Sequence, residues 1–320
     1  VYLYSTTVFF IACNLIVCVY IVFIMSLKPF LEYLNLEKNY SKHTVLAYEK
    51  DVTSFFIFLE KNYGERDPVK VAYAQIRAWI ISLVDAGLSS QSVNRKVSSL
   101  KSYYKFLLKT GDVLVSPLVK HKSLKVSKRV QIPFSEKEVA VVLEELRESQ
   151  DFTSLRDLLI VELLYGTGMR RAELIDLTMG SVDLSQKILK VKGKRDKERF
   201  IPLLPGVITT LERYMVERAQ VARSSNSEPL LVTLKGLKVY STLVYRIINR
   251  YFSEASDKFK TSPHILRHSF ATHLLNQGAD LNVVKELLGH ASLASSQVYT
   301  HNSIKALKDV YSKAHPRTKK

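Results

Sequence analysis

The sequence predicts a mainly α protein, with a small helical N-terminal domain followed by a larger helical domain that carries a small antiparallel β-sheet. Three observations predict it. Apolar residues recur at helical spacing through the first third of the chain. Two short β-prone runs flank a polar, glycine-containing tip further on. The remaining apolar stretches have helical length and are bounded by helix start and stop signals. With 320 residues, 47% of them hydrophobic, the chain is long enough for two domains of ordinary size, each with a core.

Residues 1–24 stand apart. Val1 to Ile24 contains no charged residue, and its length and apolarity match a membrane-crossing helix. No basic segment precedes the apolar run, which argues against a signal peptide. The first Met is Met25, and it opens a helix-like stretch, MSLKPFLEYLNL. Residues 1–24 are therefore read as an apolar extension from a mis-called start, with a transmembrane anchor as the alternative.

The small helical domain is expected over residues 25–118. Ser41 can cap a helix running through Tyr48, Val52, Phe55, Phe56 and Leu59. A second helix covers roughly Val71 to Ala86 and ends near Gly87. A third follows Ser89 and Ser90 and runs to about Lys109, stopped by Gly111. Its apolar positions are Val93, Val97, Leu100, Tyr104 and Leu107, and its other positions supply Arg95, Lys96, Lys101 and Lys105. Residues 119–133 (VKHKSLKVSKRVQIP) hold five Lys or Arg and no acidic residue, which reads as a basic linker. A tether along a polyanion and an ordinary solvated linker would share that composition.

The larger domain is expected over residues 134–320. It opens with a capping box, Ser135 to Glu138. Leu155 to Tyr165 reads as a buried helix. Ile188–Val191 and Phe200–Leu203 flank the tip KGKRDKER as a hairpin. Helices follow at roughly Gly206–Ala222, Ser241–Ser253, His264–Gln277 and Leu281–Leu288.

The formal net charge is +17 and the isoelectric point is about 9.6. A globular chain this basic points to a polyanionic partner, usually nucleic acid, since neutralising phosphates releases condensed counterions. A membrane surface is the other option. Cys13 and Cys18 are the only cysteines, so from Met25 onward a disulfide framework and a Cys-based zinc site are excluded.

Four segments stand out by order and spacing: GTGMRRAEL (Gly166–Leu174), VKGKRDKERFIPL (Val191–Leu203), SPHILRHSFATHLL (Ser262–Leu275) and LLGHASLASSQVYTH (Leu287–His301). Together they resemble the tyrosine recombinase (phage-integrase-like) family, in particular its bacterial XerC/XerD-type members. The resemblance runs from Met25 to the end and is densest in the C-terminal half. It implies a helical N-terminal DNA-binding (core-binding) domain and a catalytic domain. It places the first catalytic arginine on Arg170, in the motif G-x-R-x-x-E-L. The hairpin lysine falls on Lys194, the H-x-x-R pair on His264 and Arg267, the L-G-H histidine on His290, and the nucleophile on Tyr299.

The chemistry of that set is coherent. Attack on a DNA phosphodiester builds negative charge on a five-coordinate phosphorus. Guanidinium groups stay charged and bind two phosphate oxygens at once, which suits Arg170 and Arg267. A helix puts His264 and Arg267, three residues apart, on one face. At a hairpin tip, the Lys194 ammonium could protonate the departing 5′ oxygen. The Tyr299 phenol would keep the cut strand attached, so that religation needs no ATP. No carboxylate cluster suggests a two-metal site, and neither metal nor cofactor is expected.

Plainer readings accompany each residue. Arg170 could be a solvated helix-start arginine, and Arg171 lies beside it. Glu173 fits a supporting role. Lys194 competes with Lys192, Arg195 and Lys197. His264 could be a simple helix N-terminal residue, and His290 a helix C-terminal one favoured by the dipole. His268 and His273 are read as packing or supporting groups. Tyr299 is one of 17 tyrosines and is singled out by its distance beyond His290. In the first domain, Lys42, Thr44, Arg95, Lys96 and Lys101 lie on helices that resemble the family's groove-facing pair, and a solvated helix face explains them equally.

The resemblance implies a site-specific recombinase that forms a 3′-phosphotyrosyl intermediate, in chromosome dimer resolution or in integration and excision of a mobile element. The implied partners are a double-stranded DNA recombination site, further copies or a related recombinase in a tetramer on two duplexes, and a DNA-translocase activator. A small-molecule substrate is not expected. The implied location is cytoplasmic, on the nucleoid. Residues Ser303 to Tyr311 would dock on a neighbouring copy, with Ile304, Leu307, Val310 and Tyr311 as apolar contacts. Rival readings are a type IB topoisomerase, a non-catalytic DNA-binding protein, and a membrane-anchored protein that would rest wholly on residues 1–24.

Overall fold

The computed structural model describes residues 27–65, 67–126, 131–148, 151–193, 198–222, 228–256, 261–289 and 316. Residues 1–24, Lys194, His290, Tyr299 and the segment Ser303–Tyr311 all lie outside the described residues. The chain divides into two compact units, residues 1–129 and 130–320.

In the first unit, residues 27–32 are helical and pass directly into a π-helical stretch, Tyr33–Glu37, where one α-helix had been expected. Helix α1 (Lys42–Tyr63) starts where Ser41 accepts a hydrogen bond from the Thr44 N–H, and it ends on Gly64 in the left-handed conformation. Helix α2 is Tyr73–Asp85, shorter at its start than expected because a 3₁₀ turn, Pro68–Lys70, precedes it. Helix α3 (Ser90–Thr110) is capped by the Ser89 hydroxyl and stopped by Gly111, whose φ of +83° suits a residue without Cβ.

Aromatic rings fill the space between these helices. Trp79, Phe55, Phe56 and Tyr103 are each no more than 3% exposed. Phe55 meets Trp79 at 5.0 Å between centroids, and Phe56 meets Tyr103 at 5.8 Å and nearly edge to face. Each such pair contributes roughly 0.5–1.5 kcal/mol beyond the area it buries.

The basic stretch from residue 119 does not leave this unit at once. The Asn94 side chain on α3 takes the Leu124 N–H on its oxygen and donates to the Leu124 carbonyl, so the strand up to Leu124 is pinned to the helix.

The second unit is built around helix α5 (Phe152–Thr167). Every residue from Leu155 to Thr167 is buried, so the helix has no solvent face and forms the axis of the core. Helix α4 (Glu136–Glu148) opens with the expected capping box. Glu138 accepts from the Ser135 N–H at 2.7 Å, and the Ser135 hydroxyl accepts from the Glu138 N–H at 3.2 Å. The short helix α6 (Arg171–Ile175) follows α5.

A three-stranded antiparallel sheet comes next, in the order β1 (Val182–Asp183), β2 (Ile188–Lys192) and β3 (Glu198–Pro202). Val191 faces Arg199 across the β2–β3 hairpin. Helices α7 (Pro205–Val221), α8 (Ser241–Glu254), α9 (Pro263–Asn276) and α10 (Leu281–Leu288) complete the unit. Among the described residues no helix is long and apolar enough to cross a membrane.

Candidate active site

The turn after α5 sets the geometry. Gly168 caps α5 with φ +61°, and a Cβ there would lie 2.3 Å from Phe270 Cδ1 on α9 and 3.0 Å from Leu288 Cδ2 on α10. Only glycine lets this turn press against both helices. Two residues later Arg170 sits at the N-cap of α6. Its backbone N–H donates to Glu173 at 2.8 Å, the reach-back of an acidic residue at the third helical position. Its guanidinium donates to the same carboxylate at 2.9 Å. The motif spacing R-x-x-E thus makes Glu173 a brace for Arg170, which keeps 40% of its side chain exposed.

Glu173 is 6% exposed and receives a second guanidinium, from Arg199 on β3. Arg199 Nη1 and Nη2 donate to its two oxygens at 3.1 and 2.8 Å. Burial alone would raise the Glu173 carboxyl. The bonds and charge of Arg199, followed by the bonds from Arg170, outweigh burial and hold it below the ordinary carboxylate value.

Arg267 comes from α9. Its Nη1 donates to the Gly168 carbonyl at 2.5 Å and its Nη2 to the Leu288 carbonyl at 2.7 Å. Burial, and then the positive charge of Arg170, lower its pKa to about 10, with Arg199 adding to the same effect. It remains a cation at neutral pH. The Gly168 carbonyl that holds Arg267 lies two residues before Arg170, so two guanidiniums from distant motifs approach one turn of the chain.

His264 is the second residue of α9, exposed, one turn before Arg267. Both line a cleft of about 770 Å³ together with Gln131, Tyr245, Thr261, Ser262, His268, Ala271 and Leu288. The structure therefore brings Arg170, His264 and Arg267 to one region of the second unit. His273, further along α9, is buried and hydrogen-bonded to the Tyr165 hydroxyl at 2.9 Å, which makes it a packing group. Among the described residues no three His, Cys, Asp or Glu side chains gather as a metal site.

In the first unit the five named residues have different surroundings. Lys42 and Lys101 are exposed. The Thr44 hydroxyl bonds to Ser41 at 2.9 Å, within the helix cap. Arg95 and Lys96 are not simple cations on a solvated face. Both reach a carboxylate that is only 2% exposed, Asp51 on α1. Arg95 grips it with two nitrogens at 2.6 and 3.0 Å, Lys96 joins at 3.1 Å, and the Ser99 hydroxyl at 2.8 Å. Lys96 keeps 18% of its side chain exposed and Arg95 keeps 54%.

Sequence reasoning passed over Arg199 and Asp51. Arg199 lay among the cations of a hairpin. Asp51 looked like one polar position of an amphipathic helix.

Residues 134–305 match the phage integrase family, and residues 27–111 match the phage integrase N-terminal SAM-like domain. The tyrosine recombinase XerC of Chlorobaculum parvum is 38% identical over 315 residues, covering 91% of this chain and 94% of that one. The tyrosine recombinase XerC of Oceanobacillus iheyensis is 39% identical over 299 residues, covering 92% and 96%.

Two solved structures share the fold. The XerH site-specific recombinase bound to palindromic difH substrate has a TM-score of 0.67 at 23% identity, covering 86% of this chain and 81% of that one. The Tn1549 transposon integrase in complex with transposon right end DNA has a TM-score of 0.66 at 19% identity, covering 89% and 98%. Matched along nearly its whole length by tyrosine recombinases, the chain belongs to the phage integrase family and is a site-specific DNA recombinase, an enzyme that cleaves and rejoins DNA.

Proposed function

We propose that this recombinase cuts one DNA strand at a time with Tyr299 as nucleophile, and that Arg170, His264, Arg267, Lys194 and His290 serve the same scissile phosphate. The Tyr299 oxygen bonds to phosphorus, the P–O5′ bond breaks, the phenol loses its proton and Lys194 delivers one to the departing 5′ oxygen. Arg170 and Arg267 neutralise the charge that grows on the non-bridging oxygens, and His264 and His290 donate hydrogen bonds to them. The product is a 3′-phosphotyrosyl ester. A free 5′-hydroxyl of the partner strand attacks it, which conserves the number of ester bonds.

The observation that carries this reading is the approach of Arg170 and Arg267 to one turn: Glu173 braces Arg170, Arg267 donates to the carbonyl of Gly168 two residues before Arg170, and His264 lies on the same cleft as Arg267. Burial, and then the charge of Arg170, lower Arg267 to about 10, and a phosphodiester bound between the two cations would offset their repulsion.

Residues 25–118 serve as the core-binding domain, 119–133 as the linker and 134–320 as the catalytic domain. Lys42, Thr44, Arg95, Lys96 and Lys101 face the duplex. The working assembly is a tetramer, of this chain alone or with a related recombinase, on two double-stranded DNA sites. Residues Ser303–Tyr311 dock between copies, and a DNA translocase activates the complex. Cytoplasmic chromosome dimer resolution is the favoured task, because the relatives at 38% and 39% identity are XerC recombinases.

The test is a nicked duplex substrate that traps the covalent adduct. The unaltered chain forms a denaturant-resistant complex whose DNA-bearing peptide contains Tyr299. Tyr299→Phe binds the same duplex and forms none. Adduct formation by Tyr299→Phe would move the nucleophile to another tyrosine.

A further inference from the structure

Arg199 is nearly buried and has no place in the chemistry described above. Its side chain joins two parts of the site. From β3, the strand that follows the hairpin tip, Nη1 and Nη2 grip both oxygens of Glu173, the carboxylate that also braces Arg170. From the same guanidinium, Nε donates to the Leu287 carbonyl at 3.1 Å.

The next carbonyl, Leu288, takes Arg267. Two arginines from different elements therefore hold successive carbonyls in the last turn of α10, where the helix dipole is negative and cations are favoured. Gly289 then turns with φ +63°, and a Cβ on it would lie 3.1 Å from Arg199 Nη1 and 3.3 Å from Arg199 Cδ. The turn is shaped around this side chain.

We infer that Arg199 is a positioning residue for strand cleavage, which locks Glu173, and through it Arg170, to the end of α10 where Arg267 is anchored. This inference rests on the reading of Arg170 and Arg267 as the phosphate-binding pair. A guanidinium is required because one planar fork spans two carboxylate oxygens and a carbonyl at once, and an ammonium offers a single point of charge. Without the lock, Arg170 keeps its own contact to Glu173 but loses its register with Arg267. A misplacement of about 1 Å can cost on the order of 100-fold in rate.

The test uses the full chain and a nicked duplex carrying a site selected from a randomised library. Single-turnover cleavage is measured with a native scissile phosphodiester and with a methylphosphonate at that position. The methyl group removes one negative charge from the transition state, so a defect in guanidinium placement is felt less. Arg199→Met and Arg199→Lys are expected to bind the duplex normally and to cleave the phosphodiester roughly 10- to 100-fold more slowly. The loss on the methylphosphonate is expected to be smaller.

Arg199→Lys keeps the charge, so at an unchanged melting temperature its loss reports geometry even where Arg199→Met does not fold. An equal loss on both substrates, or no loss, overturns the inference. Arg170→Ala is run in parallel. If it cleaves normally, the phosphate-binding reading itself fails. If it is defective on the phosphodiester and relieved on the methylphosphonate while neither Arg199 variant is, only the role of Arg199 is lost.

Discussion

Replacing Glu173 by Gln keeps the side chain's shape and removes its charge. Four hydrogen bonds end on this carboxylate, two from Arg170 and two from Arg199. The amide oxygen of Gln can still accept on one side, but its nitrogen turns two donor hydrogens toward donors on the other. About two charge-assisted bonds are lost, each contributing roughly 1.5–3 kcal/mol. Removing one partner of a buried ion pair costs about 3–5 kcal/mol on independent grounds. The two routes agree on a destabilisation near 4 kcal/mol, read as a shift in urea midpoint of the second unit by far-ultraviolet circular dichroism.

The two side chains also differ in how their effect depends on pH. The Glu173 carboxyl is lowered in the fold, so its stabilising effect is fully present above the ordinary carboxylate pKa. That effect is lost as pH falls through the lower folded value. The gap between wild type and Glu173→Gln should therefore be widest near neutrality and close in acid, where the protonated Glu behaves like Gln. A gap below about 1 kcal/mol at pH 7, or one that widens in acid, would refute the brace.

Gly168→Ala combines a left-handed backbone, costing about 1–2 kcal/mol, with a Cβ driven into Phe270, costing about 1–3 kcal/mol more. The second unit should melt at least roughly 5 °C lower, as calorimetry would record. Arg267→Ala is expected to slow single-turnover cleavage by roughly 100-fold or more with little change in DNA affinity, and near-normal cleavage would remove Arg267 from the phosphate. Asp51→Asn should release Arg95 and Lys96 and cost about 1–3 kcal/mol in the first unit, measured by denaturant unfolding. DNA affinity should fall steeply with rising salt, and a flat salt titration would count against phosphate contacts by the basic helices.

Local signals made most of the architecture legible. Ser41, Ser89 and the Ser135–Glu138 pair announce helix starts because each satisfies N–H groups that the helix leaves open, and all three do so in the fold. The hairpin was readable because Ile188, Val191 and Ile201 are β-branched and bounded by polar residues. β1 escaped notice because two residues carry no period. Helix α6 showed only its start, at Arg170, because five residues cannot show an amphipathic face.

The candidate site was read as residue types at motif spacing, and of that reading the support of Arg170 by Glu173 is seen in the fold. The pairing of Glu173 with Arg199 was not legible, since nothing in the local sequence distinguishes one hairpin cation from the next. Only the register of β3 against the rest of the unit turns Arg199 inward. Arg95 and Lys96 show the converse. Their charges were plain, but the buried carboxylate that holds them lies on another helix.

The aromatic core of the first unit contains Trp79, the chain's sole tryptophan. Intrinsic tryptophan fluorescence therefore watches one unit and is blind to the other. A lesion at Glu173 or Gly168 could unfold its surroundings with scarcely a change in emission, while loss of Asp51 would register at once. Emission and calorimetry, recorded on the same sample, would separate the melting of the two cores without cutting the chain.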